Sequence, residues 1–357
     1  MKILLLGEYS GLYSNLKDGL IENGHEVVIA SGVDGFKNLK VDVQLAYSGT
    51  SFSKVKTIYS LISSLNKLSG FDVVQTISPL FTNSLVVTRY LYEFIKYRND
   101  SFYLSVAGDD SVVLEYWKNK NSQEFDLYFK NIKKYDGYNH EFLWGRKKCL
   151  LWNVNLAESA DGIIPIMYEY HKPYESFNKC SNSIPIPINI NKIKYDENRI
   201  KNRKLVVFHG LNRYGAKGTK YIQNAFEILN KKYPNDLELV IDGKMSYEKY
   251  KHLLKKVNVI VDQTHSNSLA MNSLISMAMG KVVLGGNTGE SMKEFGYTFN
   301  PAINIDSNEN SIINAVESIL ENRHRIVEVG EQSRLFVEKY HDYKTIAQRY
   351  IDVWSNI

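Results

Sequence analysis

Residues 2–31 read KILLLG, EYSG, LYSNLKDGLIEN, a glycine, then HEVVIAS. The first run is a buried-type strand ending at Gly7, and LYSNLKDGLIEN has helical period. Gly24 stands where a helix C′ glycine belongs, and HEVVIAS is a second strand. A strand, a helix and a strand within about thirty residues form a βαβ unit, so a parallel sheet begins here. FDVVQTI (71–77), FYLSVAG (102–108) and DGIIPI (161–166) continue it as short apolar strands with helical stretches between.

The pattern breaks at SIPIPININ (183–191), where Pro185 and Pro187 alternate with isoleucines. Proline at that spacing excludes both a helix and a central strand and makes a stiff, extended connector. The strands then restart at KLVVFHG (204–210), LELVIDG (237–243), VNVIVDQ (257–263) and KVVLGG (281–286), with a weaker AINID at 302–306. Helices are expected at 219–232, 246–255 and 268–279, and three more fill the tail. A chain of 357 residues is long for a single core. The expected architecture is α/β with two Rossmann-like, doubly wound domains facing a central cleft: residues 1–187, residues 188–339, and a last helix at 343–357 returning to the first domain. In open α/β sheets ligands bind at the carboxyl ends of the strands.

Composition excludes several classes. Hydrophobic content of 44% and charge of 23% are those of a soluble globular protein. A net charge of +5 permits attraction to phosphate or an anionic membrane but is too weak to argue for nucleic acid. Cys149 and Cys180 form no CxxC, and no histidines cluster at ligand spacing, which argues against a disulfide scaffold or a zinc site and fits a reducing cytoplasm. The start MKILLLGEYS is interrupted too soon for a signal peptide, and no uncharged run is long enough to span a membrane. The chain is expected to be soluble or peripheral.

GEYSG does not match GxGxxG, and no Walker A motif is present. GLNRYGAKGT (210–219) comes nearest, but Ala216 separates Gly215 from Lys217 where a P-loop needs them adjacent. The stretch has its own logic. A strand ends at His209–Gly210, the loop offers Arg213 and Lys217, and Gly218–Thr219 opens a helix. Two cations beside a helix N-terminus suit a diphosphate; the plain alternative is two solvated loop cations. In DQTHSNSLAMNSLISMAMGK (262–281) another strand ends at Asp262–Gln263, and Asn267 or Ser268 is expected to cap the next helix. Its first amides would face the same strand ends as Arg213 and Lys217.

A strand ending HG, then NR…KGT opening a helix, then MAMGKVVLGG after a polar loop, resembles the donor-binding half of GT-B glycosyltransferases, specifically the family 4 group. GEYSGLYSNLKDGLIENGHEVVIAS is similar to the first βαβ of that fold, and IPIPINI stands where the group runs IPNGV into its second domain. The resemblance covers the whole chain. It implies retaining transfer of a sugar from a nucleotide-diphosphate sugar to a glycan or lipid-linked acceptor, with no metal and no further cofactor, in bacterial surface polysaccharide or glycoconjugate synthesis. Arg213 and Lys217 match the pair that neutralises the donor diphosphate. Gly7, Gly11, His209, Gly210, Asn212, Gly218, Thr219, Asn267, Ser268, Leu269, Asn272 and Ser273 are the implied donor contacts. In that group the helix after the second loop carries two glutamates eight positions apart. Here those positions hold Asn267 and Ile275, so the ribose contact must come from elsewhere, with Asn272 or Ser273 as candidates.

In the first half, SVAGDDS (105–111) places Asp109 and Asp110 past a strand end, where either could orient an acceptor hydroxyl or take its proton; the plain alternative is a helix cap. His140 and His209 are the histidines best placed to matter, and TISPLFTN (76–83) is a candidate acceptor wall. The stretch 111–153 mixes aromatics with lysines. It reads as an ordinary amphipathic helix pair on the first domain, with peripheral membrane contact as the alternative; 51–70 reads the same way. Two rival functions stand beside transfer: a GT-B sugar-nucleotide epimerase, and a non-catalytic sugar-nucleotide-binding scaffold suggested by Asn267 and Ile275.

Overall fold

A computed structural model of the chain describes residues 1–32, 41–45, 65–82, 84–120, 123–136, 144–243 and 247–355. His140, most of 51–70 and Asn83 lie outside them. The chain divides into two compact units. The first comprises Met1–Tyr116, Glu141–Asn189 and Asp342–Ile357, and the second Trp117–His140 and Ile190–His341. Residues 117–140, which the sequence reading gave to the first domain, thus belong with the second unit.

The first unit is built on six strands: β1 (Lys2–Leu6), β2 (Glu26–Ser31), β3 (Val43–Gln44), β4 (Val73–Thr76), β5 (Ser101–Val106) and β6 (Gly162–Pro165). All neighbours run parallel, in the order β3-β2-β1-β4-β5-β6. The order reverses between β1 and β4. Helix α1 (Leu12–Glu22) follows β1; α2 (Leu85–Arg98), α3 (Ser111–Asn119), α4 (Gln123–Asn131) and α5 (Lys147–Ser159) come later. Gly24 has φ +87°, and the amide of His25 closes α1 on the Leu20 carbonyl, as a C-terminal glycine motif requires. Strand alternation along β5 sends Phe102 toward α2, edge-on to Tyr92, and Tyr103 the other way, where its hydroxyl donates to the Trp354 carbonyl.

The second unit carries β7 (Leu205–Gly210), β8 (Leu237–Asp242), β9 (Val259–Val261) and β10 (Val282–Leu284), parallel in the order β10-β9-β7-β8. The helices are α6 (Thr219–Lys232), α7 (Tyr247–Leu254), α8 (Met271–Ala278), α9 (Gly289–Phe295), α10 (Glu309–Glu321) and α11 (Ile326–Tyr340). A buried cluster of Leu205, Val207, Ile222, Phe226, Val259 and Ile312 fixes α6 and α10 on one side of the sheet. The expected strand AINID reduces to one bridge pair, Leu284 with Ile303. The last helix, α12 (Tyr343–Ser355), packs on α1 within the first unit, so closely that a Cβ on Gly19 would overlap the Tyr343 carbonyl.

Candidate donor site at the end of the second sheet

The chain runs from β7 to β8 on one side and then back across β7 to β9, so the sheet has its switch point between the ends of β7 and β9. Loops leave in opposite directions there and open a crevice. Lys217 and Asp262 meet at this point. The Lys217 Nζ lies 2.8 Å from Asp262 Oδ1, and Lys217 is 6% and Asp262 1% exposed. Lys217 is therefore not a solvated loop cation. The Ser273 hydroxyl donates to Asp262 Oδ2 at 2.6 Å, and the Asn272 amide to Oδ1 at 3.2 Å. Burial pushes the Asp262 carboxyl up, but the Lys217 charge and these hydrogen bonds outweigh it and hold the group at about 2. Asn272 is placed in turn by the Tyr250 hydroxyl, which donates to its Oδ1 at 2.6 Å. The loop after β7 and the first turn of α8 thus converge on one carboxylate.

His209 has no exposed surface. One ring nitrogen bonds the Val261 carbonyl at 2.7 Å and the other the Thr219 hydroxyl at 2.8 Å. Burial, with the Lys217 charge second, lowers its pKa to about 4, so the ring is neutral at pH 7. His209 ties the end of β9 to the first residue of α6. Gly210 ends β7, while Asn212 and Arg213 are exposed on the loop. Gly218 adopts φ +67° before α6, and a Cβ there would overlap Thr264 Oγ1. Thr264 bonds Ser307, whose hydroxyl also pairs with the His265 ring at 2.8 Å.

Two expectations about the second loop change. Helix α8 begins at Met271 with Ala270 before it, and neither Asn267 nor Ser268 caps it. The Ser266 hydroxyl instead donates to the Ser268 carbonyl and accepts from the Ser268 amide, forming a local turn that competes with helix. The Ser268 hydroxyl accepts from Ser291, the Asn267 carbonyl accepts from the Thr288 amide, and Leu269 is buried.

The loop of Arg213 also carries an internal anion that the sequence did not disclose. Asp136, in the π-helical turn Ile132–Asp136, accepts from the amides of Gly215 at 2.8 Å and Ala216 at 2.9 Å. The end of α4, just ahead of this turn, packs on Gly215 so tightly that a Cβ would overlap the Asn131 carbonyl. Two amides of the Arg213 loop are therefore bonded to a carboxylate about eighty positions away in sequence, beyond any local pattern.

Gly7 and Gly11 fall in the first unit, with φ of +89° and +90°. Their amides are engaged, Gly7 with the Ala30 carbonyl and Gly11 with Glu8. Glu8, 3% exposed, also accepts from the amides of Tyr13 and Ser14 and from the Ser14 hydroxyl. Asp110 is 2% exposed. Its Oδ1 accepts from the Val112 and Val113 amides, both at 2.9 Å, and its Oδ2 from the Tyr174 hydroxyl at 2.7 Å. Burial pushes its carboxyl up to about 7 against the pull of these bonds. It caps α3; Asp109 beside it is half-buried.

No protein-family profile matches the chain, and no curated protein matches it. Solved structures do. Sucrose-phosphate synthase from Thermosynechococcus elongatus matches at TM-score 0.65 and 13% identity, over 99% of this chain and 98% of that one. The Anabaena protein HepE in complex with UDP and glucose matches at 0.62 and 14%, over 100% of each chain. UDP-GlcNAc 2-epimerase from Neisseria meningitidis, bound to UDP-GlcNAc, matches at 0.52 and 13%, over 99% of each. The chain has the GT-B fold, α/β with two parallel sheets, over its full length.

Proposed function

We propose that the chain is a retaining glycosyltransferase of the family 4 type, moving a sugar from a UDP-sugar to a glycan or lipid-linked hydroxyl. The observation that carries this reading is the meeting of Lys217, Asp262 and the openings of α6 and α8 at the switch point of the second sheet, in a chain with the GT-B fold. HepE, which shares that fold, is solved with UDP and glucose. In this reading the second unit holds the donor and the first the acceptor.

As the bond from the anomeric carbon to the diphosphate breaks, negative charge grows on the leaving group. Lys217 and Arg213 stabilise it, an effect of about 3–4 kcal/mol for each well-placed donor. Asp262 fixes the Lys217 ammonium and cancels part of its charge, and Arg213 stands exposed on the same loop. Asn272 and Ser273 keep their side chains at the same spot, the candidate position for the ribose contact that Ile275 cannot make.

The test is thermal unfolding with UDP, GDP, ADP and the matching monophosphates. A ligand at a hundred times its Kd stabilises by about 2.7 kcal/mol. A UDP shift well above that of UMP, lost in Arg213→Ala, supports the site; no shift with any nucleotide sinks it. The fold shared with UDP-GlcNAc 2-epimerase favours one second reading, sugar-nucleotide epimerisation, which forms product without an acceptor.

A further inference from the structure

Four of the large apolar side chains exposed among the described residues lie on two helices of the first unit. Val86, Tyr90 and Tyr97 on α2 are 62%, 76% and 86% exposed, and Leu151 on α5 is 55% exposed. Helix α2 buries Thr88, Leu91, Tyr92 and Ile95, so its outward side should be polar. Val86, Tyr90 and Tyr97, spaced by four and seven residues, instead form one apolar stripe along it.

The two helices form one continuous surface. Tyr92 stands edge-on to Trp152 at 5.3 Å, its hydroxyl bonds Ser159 at 2.7 Å, and Lys96 donates to the Ser159 carbonyl at 2.9 Å. Arg89 lies over the Trp152 ring at 5.8 Å. Across residues 84–98 and 146–159 the sequence carries six cations (Arg89, Lys96, Arg98, Arg146, Lys147, Lys148) against Glu93 and Glu158. Two shallow hollows of about 350 and 390 Å³ share Arg89; Lys96 lines the first, and Arg146 and Lys148 the second.

We propose that this α2–α5 face seats the first unit on a bilayer surface rich in anionic phospholipid. Tyrosine and aliphatic side chains enter the interfacial layer, where a ring is buried while its hydroxyl stays wet, and the cations meet lipid phosphates. The hollows beside Arg89 receive headgroups. The sequence reading gave such contact only as the alternative for 111–153 and 51–70; of the first stretch the start of α5 contributes, and 117–140 belongs to the other unit. The proposal stands independently of the reaction assigned above.

The experiment is vesicle flotation of the full chain with phosphatidylglycerol and phosphatidylcholine at equal parts, against phosphatidylcholine alone. The protein is expected to float with the anionic vesicles, less so as salt rises, and to stay behind with the neutral ones. Lys147→Glu with Lys148→Glu should lower the partition coefficient roughly tenfold or more. Tyr90→Ser with Tyr97→Ser should lower it several-fold with no change in charge. Lys255→Glu with Lys256→Glu, exposed on the second unit, makes the same charge change elsewhere and should leave binding intact. Absence of flotation overturns the proposal. So does equal loss in the Lys255/Lys256 variant, which would mean bulk charge, or full binding by the tyrosine variant. Unchanged thermal unfolding of each variant shows that the fold is retained.

Discussion

Lys217 and Asp262 make a 2.8 Å ion pair in which both side chains are buried. Such a pair is worth little against an apolar replacement, but removing one partner strands the other charge, at about 3–5 kcal/mol. Lys217→Met should therefore lower the unfolding temperature by roughly 10 °C. Adding Asp262→Asn should recover most of the loss, whereas turnover stays at least a hundredfold down in both variants. Calorimetry beside a transfer assay separates the two effects; recovery of activity together with stability would show that Lys217 only balances charge.

Acid should act on the second unit in two stages. His209 and His265 are both lowered to about 4 by burial, with Lys217 adding to the effect on His209. The unfolded chain binds these protons near pH 6.5 and the folded chain does not, so their contribution is complete above 6.5 and falls away toward 4. Each unit of that depression is worth about 1.4 kcal/mol. Asp262, at about 2, contributes above the ordinary carboxylate range and loses that contribution between about pH 4 and 2. Asp110, raised to about 7, runs the other way, its contribution present below about pH 4 and lost as the pH rises through 7. Denaturant titrations of the wild type and His209→Asn from pH 4 to 8 should show a shallower acid limb in the variant.

Asp136→Ala should leave the Gly215 and Ala216 amides without their acceptor. The cost of two such groups, partly reached by water, is about 1–3 kcal/mol. Hydrogen exchange is the direct readout: protection should fall at Gly215 and Ala216 while the amides within β7 keep theirs.

Gly218→Ala imposes a side chain on a left-handed residue and drives its Cβ into Thr264. A cost above about 1 kcal/mol is expected. Because Thr264 holds Ser307, the disturbance should spread to the His265 ring. An NMR shift of the His265 ring signals in the variant checks this, and Gly289→Ala, which meets no atom, should leave them unmoved.

The repeating βα pattern was legible because periodicity is a local property. Helix 219–232 falls on its expected bounds, as its buried Ile222, Ala225, Phe226 and Leu229 recur at helical spacing. Arg213 and Lys217 could be picked out by their place beside a helix start. What decides their surroundings could not: Asp262 lies 45 positions from Lys217 and Asp136 lies 79 from Gly215. Charged groups paired across such distances leave no periodic trace. The start of α8 was misplaced for a subtler reason. Asn267 and Ser268 have the composition of a helix cap, but the Ser268 backbone closes a turn on the Ser266 hydroxyl first.

Glu8 gives the first unit a different character from what its strand order suggests. That order, reversing beside β1, is shared with sheets that receive a dinucleotide phosphate at the first helix. Here the carboxylate of Glu8 already fills the place. Being tethered a few residues away, it competes at an effective concentration far above that of any free anion in solution. The turn is self-liganded, and a dinucleotide topology serves as a scaffold whose most familiar anion seat is taken by the chain itself.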